Sequence, residues 1–482
     1  MGKYTCNRCA KEFTQKSHYT VHKSRKIPCE NNVEKIKSIV NEKLKELNIK
    51  ELNIKELNIK ELNIKEETTI ELSENNPVAE RPYSKLSYDV TKELGKKEKQ
   101  EYGIYFTPPK TIKECIKYLG EYIDGINTVL EPSCGTCEYI LELSKEYSNL
   151  DITGIEYNKS IYDKIKGYEN NKIKIKREDY LLYKNEKNYD LIIGNPPYFV
   201  MKKNEIDKSY YDYFDGRPNI FILFIIKALS MLNKNGILLF ILPKNFLNCL
   251  YYNKTRRHIY QNYKILNIVE CNDNYIETKQ DTIIFMLQNK MDVEHNNKYT
   301  LNINNYTIFC IDNKLLKIKH LYENSTTLSS LKFKVNVGNV VWNQCKDILT
   351  DDETKTRLIY SSDISKNKLI KKDYENKEKK NYINKEGLKE PMVIMNRGYG
   401  VGKYKFEYCL IEGEKEYLLE NHIICIKYTE IIEEKKLIEL YKKIIKSLES
   451  KKTQQFIDLY FGNNAVNTTE LCEIIPIYDM ND

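Results

Sequence analysis

Between residues 86 and 288 short apolar runs alternate with helical patterns, and this alternation restricts the fold more than any other feature of the chain. The runs are Thr128–Leu130, Ile152–Ile155, Lys172–Lys176, Leu191–Ile193, Ile237–Leu242, Ile265–Val269 and Thr282–Leu287. Helical periodicity fills most of the intervals, for example Thr136–Glu146 and Ile220–Leu232. Such a series predicts an α/β, Rossmann-like, mostly parallel sheet with helices on both faces. Ligands of these sheets bind beyond the carboxyl ends of the strands. The residues that end each run are therefore the first candidates for a site.

The fourth run leads into Gly194-Asn195-Pro196-Pro197-Tyr198. Two prolines fix φ and end regular structure, so a rigid corner is expected at a strand end. Its groups suit an exocyclic amine on a nucleobase, a weak nucleophile because its lone pair is delocalised. The Asn195 side-chain oxygen and the Pro196 carbonyl can accept from the amine and turn its lone pair towards a methyl donor. Positioning of this kind is expected to dominate the rate gain. The Tyr198 ring can stack on an extruded base and offset part of the cost of unstacking it. Three further run ends carry acids. Glu131-Pro132-Ser133-Cys134-Gly135-Thr136 follows the first run and opens a helix, as nucleotide loops do, although it lacks a full G-x-G-x-x-G pattern. Glu156 ends the second run, where an acid can accept ribose hydroxyls. Asp179 follows the third and can accept from an adenine amine.

Taken in order, these pieces resemble the γ-class of DNA adenine-N6 methyltransferases, as found in type II restriction–modification systems. Gly103–Pro108 resembles the motif ahead of the sheet, Glu131–Gly135 motif I, Glu156 motif II, Asp179 motif III and Asn195–Tyr198 motif IV. The resemblance implies S-adenosylmethionine as cofactor, held by Thr107, Glu131, Ser133, Gly135, Glu156, Asp179, Asn195, Pro197 and Phe224. It implies catalysis by Asn195, Pro196 and Tyr198, with Tyr275 as a second aromatic against the flipped base. Two positions depart from the commonest pattern: Cys137 stands where a second glycine is frequent, and Tyr275 where phenylalanine is familiar. The resemblance covers about residues 86–290. It implies a mixed α+β target-recognition domain in the remainder, where Gly338–Gln344, Met395–Gly400 and Asn421-His422 resemble pieces of such domains. A glycine-flanked Arg397 suits entry into a DNA groove.

The expected domains are therefore a zinc finger over 1–30, a linker over 31–85, a catalytic domain over 86–295 and a target-recognition domain over 296–482. Cys6, Cys9, His22 and Cys29 follow a two-Cys, His, Cys zinc pattern, with Phe13 and Tyr19 at small-core positions. Residues 1–30 carry seven Lys/Arg against Glu12 and Glu30, a net +5 out of +8 for the whole chain. Such a basic unit suits phosphate contacts. The linker repeats Glu-Leu-Asn-Ile-Lys four times from Glu46 to Lys65. Each repeat advances ~140° on a helix, so the leucines spiral and form no coiled-coil seam.

The composition excludes other classes. No apolar run approaches the ~18 residues of a membrane helix, and the polar, Cys-bearing N-terminus is unlike a secretory signal. Of the thirteen Cys, three fall in the zinc pattern, and the others are scattered, which suits reduced thiols inside a cell better than a disulfide framework. The expected partner is double-stranded DNA, engaged by a monomer. No nuclease acid–lysine cluster stands out, so any restriction endonuclease would be a separate protein. The competing readings are N-methylation of RNA or protein glutamine, N4-methylation of cytosine, and a non-catalytic zinc-finger DNA-binding protein.

Overall fold

The computed structural model describes residues 83–184, 187–271, 280–396, 407–460 and 466–480, with Tyr4–Thr5, Glu12–Phe13 and Tyr19–Thr20. The chain divides into two compact units, Met1–Ala79 and Glu80–Asp482. In the first, Tyr4–Thr5 pairs antiparallel with Glu12–Phe13, Tyr4 opposite Phe13. The expected zinc ligands Cys6, Cys9, His22 and Cys29 lie outside the described residues, as do the pentamer repeats.

The second unit is built on a seven-stranded sheet. Its strands are β1 Thr128–Glu131, β2 Asp151–Ile155, β3 Ile173–Lys176, β4 Tyr189–Gly194, β5 Leu232–Pro243, β6 Lys264–Glu270 and β7 Thr282–Gln288. Their spatial order is β3-β2-β1-β4-β5-β7-β6. Strands β1 to β5 are parallel, and β7 runs antiparallel to both β5 and β6. The order reverses between β1 and β4, which opens a crevice at their carboxyl ends.

Side-chain alternation explains why the central strands are apolar throughout. Leu130, Ile192, Leu238, Phe240 and Phe285 enter one core, and Val129, Leu191, Ile193, Leu239 and Ile284 enter the other. A sheet covered on both faces needs an apolar residue at every position. Helix α6, Ile220–Ser230, covers the first face and is apolar except at Lys227 and Ser230. Helices α3 Pro109–Leu119, α4 Glu138–Glu146 and α5 Lys159–Ile165 cover the second. Ahead of them come α1 Lys85–Glu93 and α2 Lys96–Tyr102.

All seven expected strands are present, but two helix boundaries move. The helix expected from Thr136 starts at Glu138, because Gly135 and Cys137 hold left-handed φ values of 50° and 64°. The helix expected to reach Leu232 stops at Ser230, because Leu232 already pairs with Tyr189 across a bulge.

Beyond the sheet, Thr300–Ile303 and Tyr306–Phe309 form a hairpin. It is stitched to helix α7, Asn253–Asn262, by the fully buried Arg256. Arg256 donates to the Thr307 carbonyl at 2.6 Å and to the Phe246 and Cys249 carbonyls at 2.9 and 2.8 Å. Phe309 stacks on Phe285 of β7, ring centroids 5.8 Å apart. The hairpin thus bridges two cores: Phe309 enters the one beside β7, while Ile303 and Ile308 enter the one that holds Val393, Ile424 and Tyr441. The C-terminal domain holds two four-stranded sheets and the helices Glu434–Leu448, Lys451–Tyr460 and Thr468–Glu473, a mixed α+β arrangement. Among the described residues no helix is long and apolar enough to cross a membrane.

Candidate active site

A cavity of about 360 Å³ opens at the carboxyl ends of β1 to β4. Thr107, Glu131, Ser133, Gly135, Glu156, Asp179, Asn195, Pro197 and Phe224 all line it. The nine residues expected to hold a methyl donor thus come from separate segments to one place. Its charge is one-sided. Glu101, Glu131, Glu138, Glu156, Glu178 and Asp179 line it, and none of the described lining residues is Lys, Arg or His.

Glu131 ends β1 and is 3% exposed, with Oε2 lacking any hydrogen-bond partner. Burial, reinforced by nearby Glu138 and Glu156, pushes its carboxyl well above the usual range. A buried acceptor left unmade costs free energy unless a ligand fills it. Gly194, at φ 151°, backs this carboxylate: a Cβ there would lie 3.3 Å from Glu131 Cγ. Glu156 ends β2 and holds the loop. Its oxygens accept from Gly135 N at 2.9 Å and Asn158 N at 2.7 Å. A carboxylate has about four acceptor sites, so capacity remains for a ligand's hydroxyl. Burial outweighs these bonds and raises the Glu156 carboxyl to about 7. Asp179 accepts from Leu181 N at 2.8 Å. Phe224 on α6 sits 4.8 Å, centroid to centroid, from Tyr180.

The Asn-Pro-Pro-Tyr corner is clamped to this pocket. Asn195 donates Nδ2–H to the Tyr105 carbonyl at 3.2 Å, and its own carbonyl accepts from Ser133 Oγ at 3.1 Å. Gly103 seats the corner: at φ 63°, a Cβ there would lie 2.8 Å from the Tyr198 nitrogen. The Tyr198 hydroxyl has two acceptors, Asn195 Oδ1 at 2.6 Å and the Ile241 carbonyl at 2.8 Å. Its single proton serves one at a time. The Tyr198 ring meets Phe221 edge-on at 6.0 Å, and neither Tyr198 nor Pro196 lines the cavity. Tyr275 lies outside the described residues.

Sequence reasoning missed several groups here. Tyr102 and Tyr157 line the cavity, their rings 6.1 Å apart and their side chains well exposed. Tyr157 directly follows the acid at the end of β2, which was the available signal. Helix α1 latches onto the motif I loop. Ser87 Oγ hydrogen-bonds Thr136 Oγ1 at 2.6 Å, and the Ser84 and Ser87 hydroxyls both donate to Glu138 Oε1.

The C-terminal pieces singled out by sequence converge on one strand. Gly338 N donates to the Ile423 carbonyl, Asn421 N to the Val340 carbonyl, and Asn396 pairs with Ile423. Gly338 is needed for this crossing, since a Cβ would strike the Leu419 and Glu420 carbonyls. The buried Glu420 holds exposed His422 by its ring Nδ1 and its main-chain nitrogen. Arg397 lies outside the described residues.

A family model described as Eco57I restriction-modification methylase matches residues 9–276, over half of the chain. Modification methylase CviBIII of Paramecium bursaria Chlorella virus NC1A is 26% identical over 407 residues, spanning 82% of this chain and 99% of that protein. Type II methyltransferase M.CvrRI of Paramecium bursaria Chlorella virus XZ-6E is 26% identical over 398 residues, 81% and 98% of the two chains. Among solved structures, a DrdV–DNA complex covers 82% of this chain and 57% of its own, at 11% identity and a TM-score of 0.46. The strand order, the acid-lined crevice and the match over residues 9–276 lead to one assignment: this chain belongs to the Eco57I restriction-modification methylase family.

Proposed function

We propose that the protein transfers a methyl group from S-adenosylmethionine to the N6 amine of an adenine flipped out of double-stranded DNA. The observation that carries this reading is the pocket's charge: six carboxyl groups, one with an unpartnered oxygen, and no basic residue among the described lining residues. Such a cavity suits a ligand with an ammonium and a sulfonium centre and repels a phosphate-bearing nucleotide. When bound, the donor supplies an electrophilic methyl on a good leaving group.

The chain's own residues supply placement. Glu131 Oε2 suits the donor's ammonium, and Glu156 its ribose hydroxyls. Asp179 suits its adenine amine and Phe224 that ring's face. Asn195 is fixed through Nδ2 and its carbonyl, which leaves Oδ1 as the movable contact. Rotation of the Tyr198 hydroxyl so that it donates to the Ile241 carbonyl frees Oδ1 for the substrate amine, and the tyrosine keeps a hydrogen bond. Pro196 would offer the second acceptor. The choice of adenine over cytosine rests on the Asn-Pro-Pro-Tyr motif and the motif order. The C-terminal domain is read as the DNA-recognition part, and any endonuclease as a separate protein. The N-terminal unit is read as a finger with zinc on Cys6, Cys9, His22 and Cys29, supported by ligand spacing and the Tyr4–Phe13 pairing.

The test is to offer labelled S-adenosylmethionine with unmethylated DNA, RNA or protein. Label should enter DNA only, as N6-methyladenine, and Asn195→Ala should lower the rate by roughly 10³-fold or more with donor affinity retained. Label in RNA or protein, or full activity in Asn195→Ala, would overturn the proposal. Zinc content of the same preparations should be stoichiometric in wild type and lost in Cys6→Ser; equal content in both removes that ligand set.

A further inference from the structure

Helix α6 carries a single charged residue, Lys227, among largely buried apolar neighbours. A cation in such surroundings costs free energy unless its protons are used. Lys227 Nζ donates to the Leu181 carbonyl at 2.8 Å and to the Tyr183 carbonyl at 2.7 Å. Both carbonyls belong to the turn that follows β3 and begins with Asp179. Inside that turn the Asp179 carbonyl accepts from Leu182 N at 3.0 Å and Tyr183 N at 2.9 Å, and Asp179 Oδ1 accepts from Leu181 N at 2.8 Å. The helix takes the two later carbonyls. Phe224 lies three residues before Lys227, on the same side of the helix. The Tyr180 ring packs against both, 4.8 Å from the Phe224 ring centroid and 5.3 Å from Lys227 Nζ. Its buried hydroxyl has no hydrogen-bond partner among the described residues, so the ring contributes packing only. Burial lowers the pKa of the Lys227 ammonium, and the Asp179 carboxylate works against that shift.

We propose that Lys227 is a positioning residue that sets the pocket's selectivity for adenine, by locking the Asp179 turn to the helix that carries Phe224. The inference rests on the reading of this pocket as the donor site and adds to it a residue outside the pocket. Asp179, Tyr180, Leu181 and Phe224 line the cavity, and Lys227 does not. An adenine seated there must meet an acceptor at its exocyclic amine and an aromatic ring on its face at the same time. The acceptor comes from the turn after β3 and the ring from α6. One ammonium holds the two together through two bonds, so the turn cannot slide along the helix without breaking both. A hydrogen bond weakens steeply when its angle is lost. A displaced Asp179 would therefore no longer separate an amine from the carbonyl oxygen of hypoxanthine. Methionine at 227 would fill the space of the lysine stem and leave both carbonyls without that donor. A cation that only stabilised the fold would alter unfolding and leave the choice of base unchanged.

The experiment measures by calorimetry the affinity of full-length wild type, Lys227→Met and Lys227→Gln for two ligands. One is S-adenosylhomocysteine, the other S-inosylhomocysteine, in which an oxygen replaces the adenine amine. Wild type should prefer the adenine form by about 10–100-fold, the worth of a hydrogen bond to a charged group. Lys227→Met should bind S-adenosylhomocysteine on the order of tenfold more weakly and the inosine form as wild type does, so the preference falls by the same factor. Lys227→Gln keeps one donor and should lose less, and it carries the test should the methionine variant not fold. In methylation assays the KM for S-adenosylmethionine should rise while kcat at saturating donor holds. An unchanged preference in a folded variant, or equal weakening for both ligands, would overturn the role of Lys227. A wild type that binds both ligands alike would overturn the selectivity itself, and one that binds neither would overturn the donor assignment on which it rests.

Discussion

Glu131 in the catalytic sheet and Asp363 in the C-terminal domain are both removed from solvent, at 3% and 0% exposure. Their surroundings are opposite. Asp363 accepts from Arg357 Nη2 at 3.1 Å, Tyr374 Oη at 2.5 Å and Tyr360 N at 3.1 Å. Glu131 faces a cavity with no cationic side chain among the described lining residues, and its Oε2 has no hydrogen-bond partner. A buried carboxyl whose oxygens are all partnered suits the architecture; one that keeps an oxygen unmade suits a ligand. Burial alone does not separate the two cases, but the hydrogen-bond inventory does.

The contrast breaks most readily at Asp363. Asp363→Ala should destabilise the fold by about 3–5 kcal/mol, because Arg357 loses its buried partner, while donor affinity of the folded protein is unchanged. Denaturant unfolding and calorimetry measure both, and a variant that binds donor poorly but unfolds normally would reverse the roles. Glu131→Gln should act the other way. Its donor affinity should drop by about 10–100-fold, the range of ~1.5–3 kcal/mol for a hydrogen bond to a charged group. Its ligand-free Tm should hold or rise, since an unpaired buried carboxyl has gone. Strong destabilisation with normal binding would mark Glu131 as architectural after all.

The smallest effect is in pH. Burial holds Glu156 up to about 7, above its unfolded value near ~4.3. Its contribution to ligand-free stability is therefore fully present below the unfolded value and lost as pH rises through about 7. If the proposed contact to the donor's ribose needs the carboxylate, donor binding should weaken by up to about tenfold per pH unit below that value. Lowering pH from 8 to 6 should thus shrink the Tm gain produced by donor. A gain independent of pH would show that Glu156 stays ionised or makes no donor contact.

The seven strands were legible from their apolar runs, and Glu131, Glu156, Asp179 and Asn195 from the places where those runs stop; Thr107 ahead of α3 and Phe224 within α6 came only from the motif order. Tyr198 was less legible. Its motif names a ring beside a base, yet the fold turns the hydroxyl inward to Asn195 and Ile241, a contact with a residue on another strand. The C-terminal sheets were illegible for a related reason. Phe333 pairs with Tyr428 and Thr356 with Ile383, and short strands so far apart carry no register signal in their own residues. Helix α1 was missed because two serines give no hint of the Glu138 they meet.

Arg256 has a practical consequence for anyone who wants to graft a foreign C-terminal domain onto this enzyme. A splice at residue 296 would remove the Thr307 carbonyl and the Phe309 ring together. A guanidinium would be stranded in the interior, and Phe285 would lose its stacked neighbour. A working chimera keeps residues 300–309 for Arg256 and Phe285, and its incoming module must also cover Ile303 and Ile308, which pack with Val393, Ile424 and Tyr441.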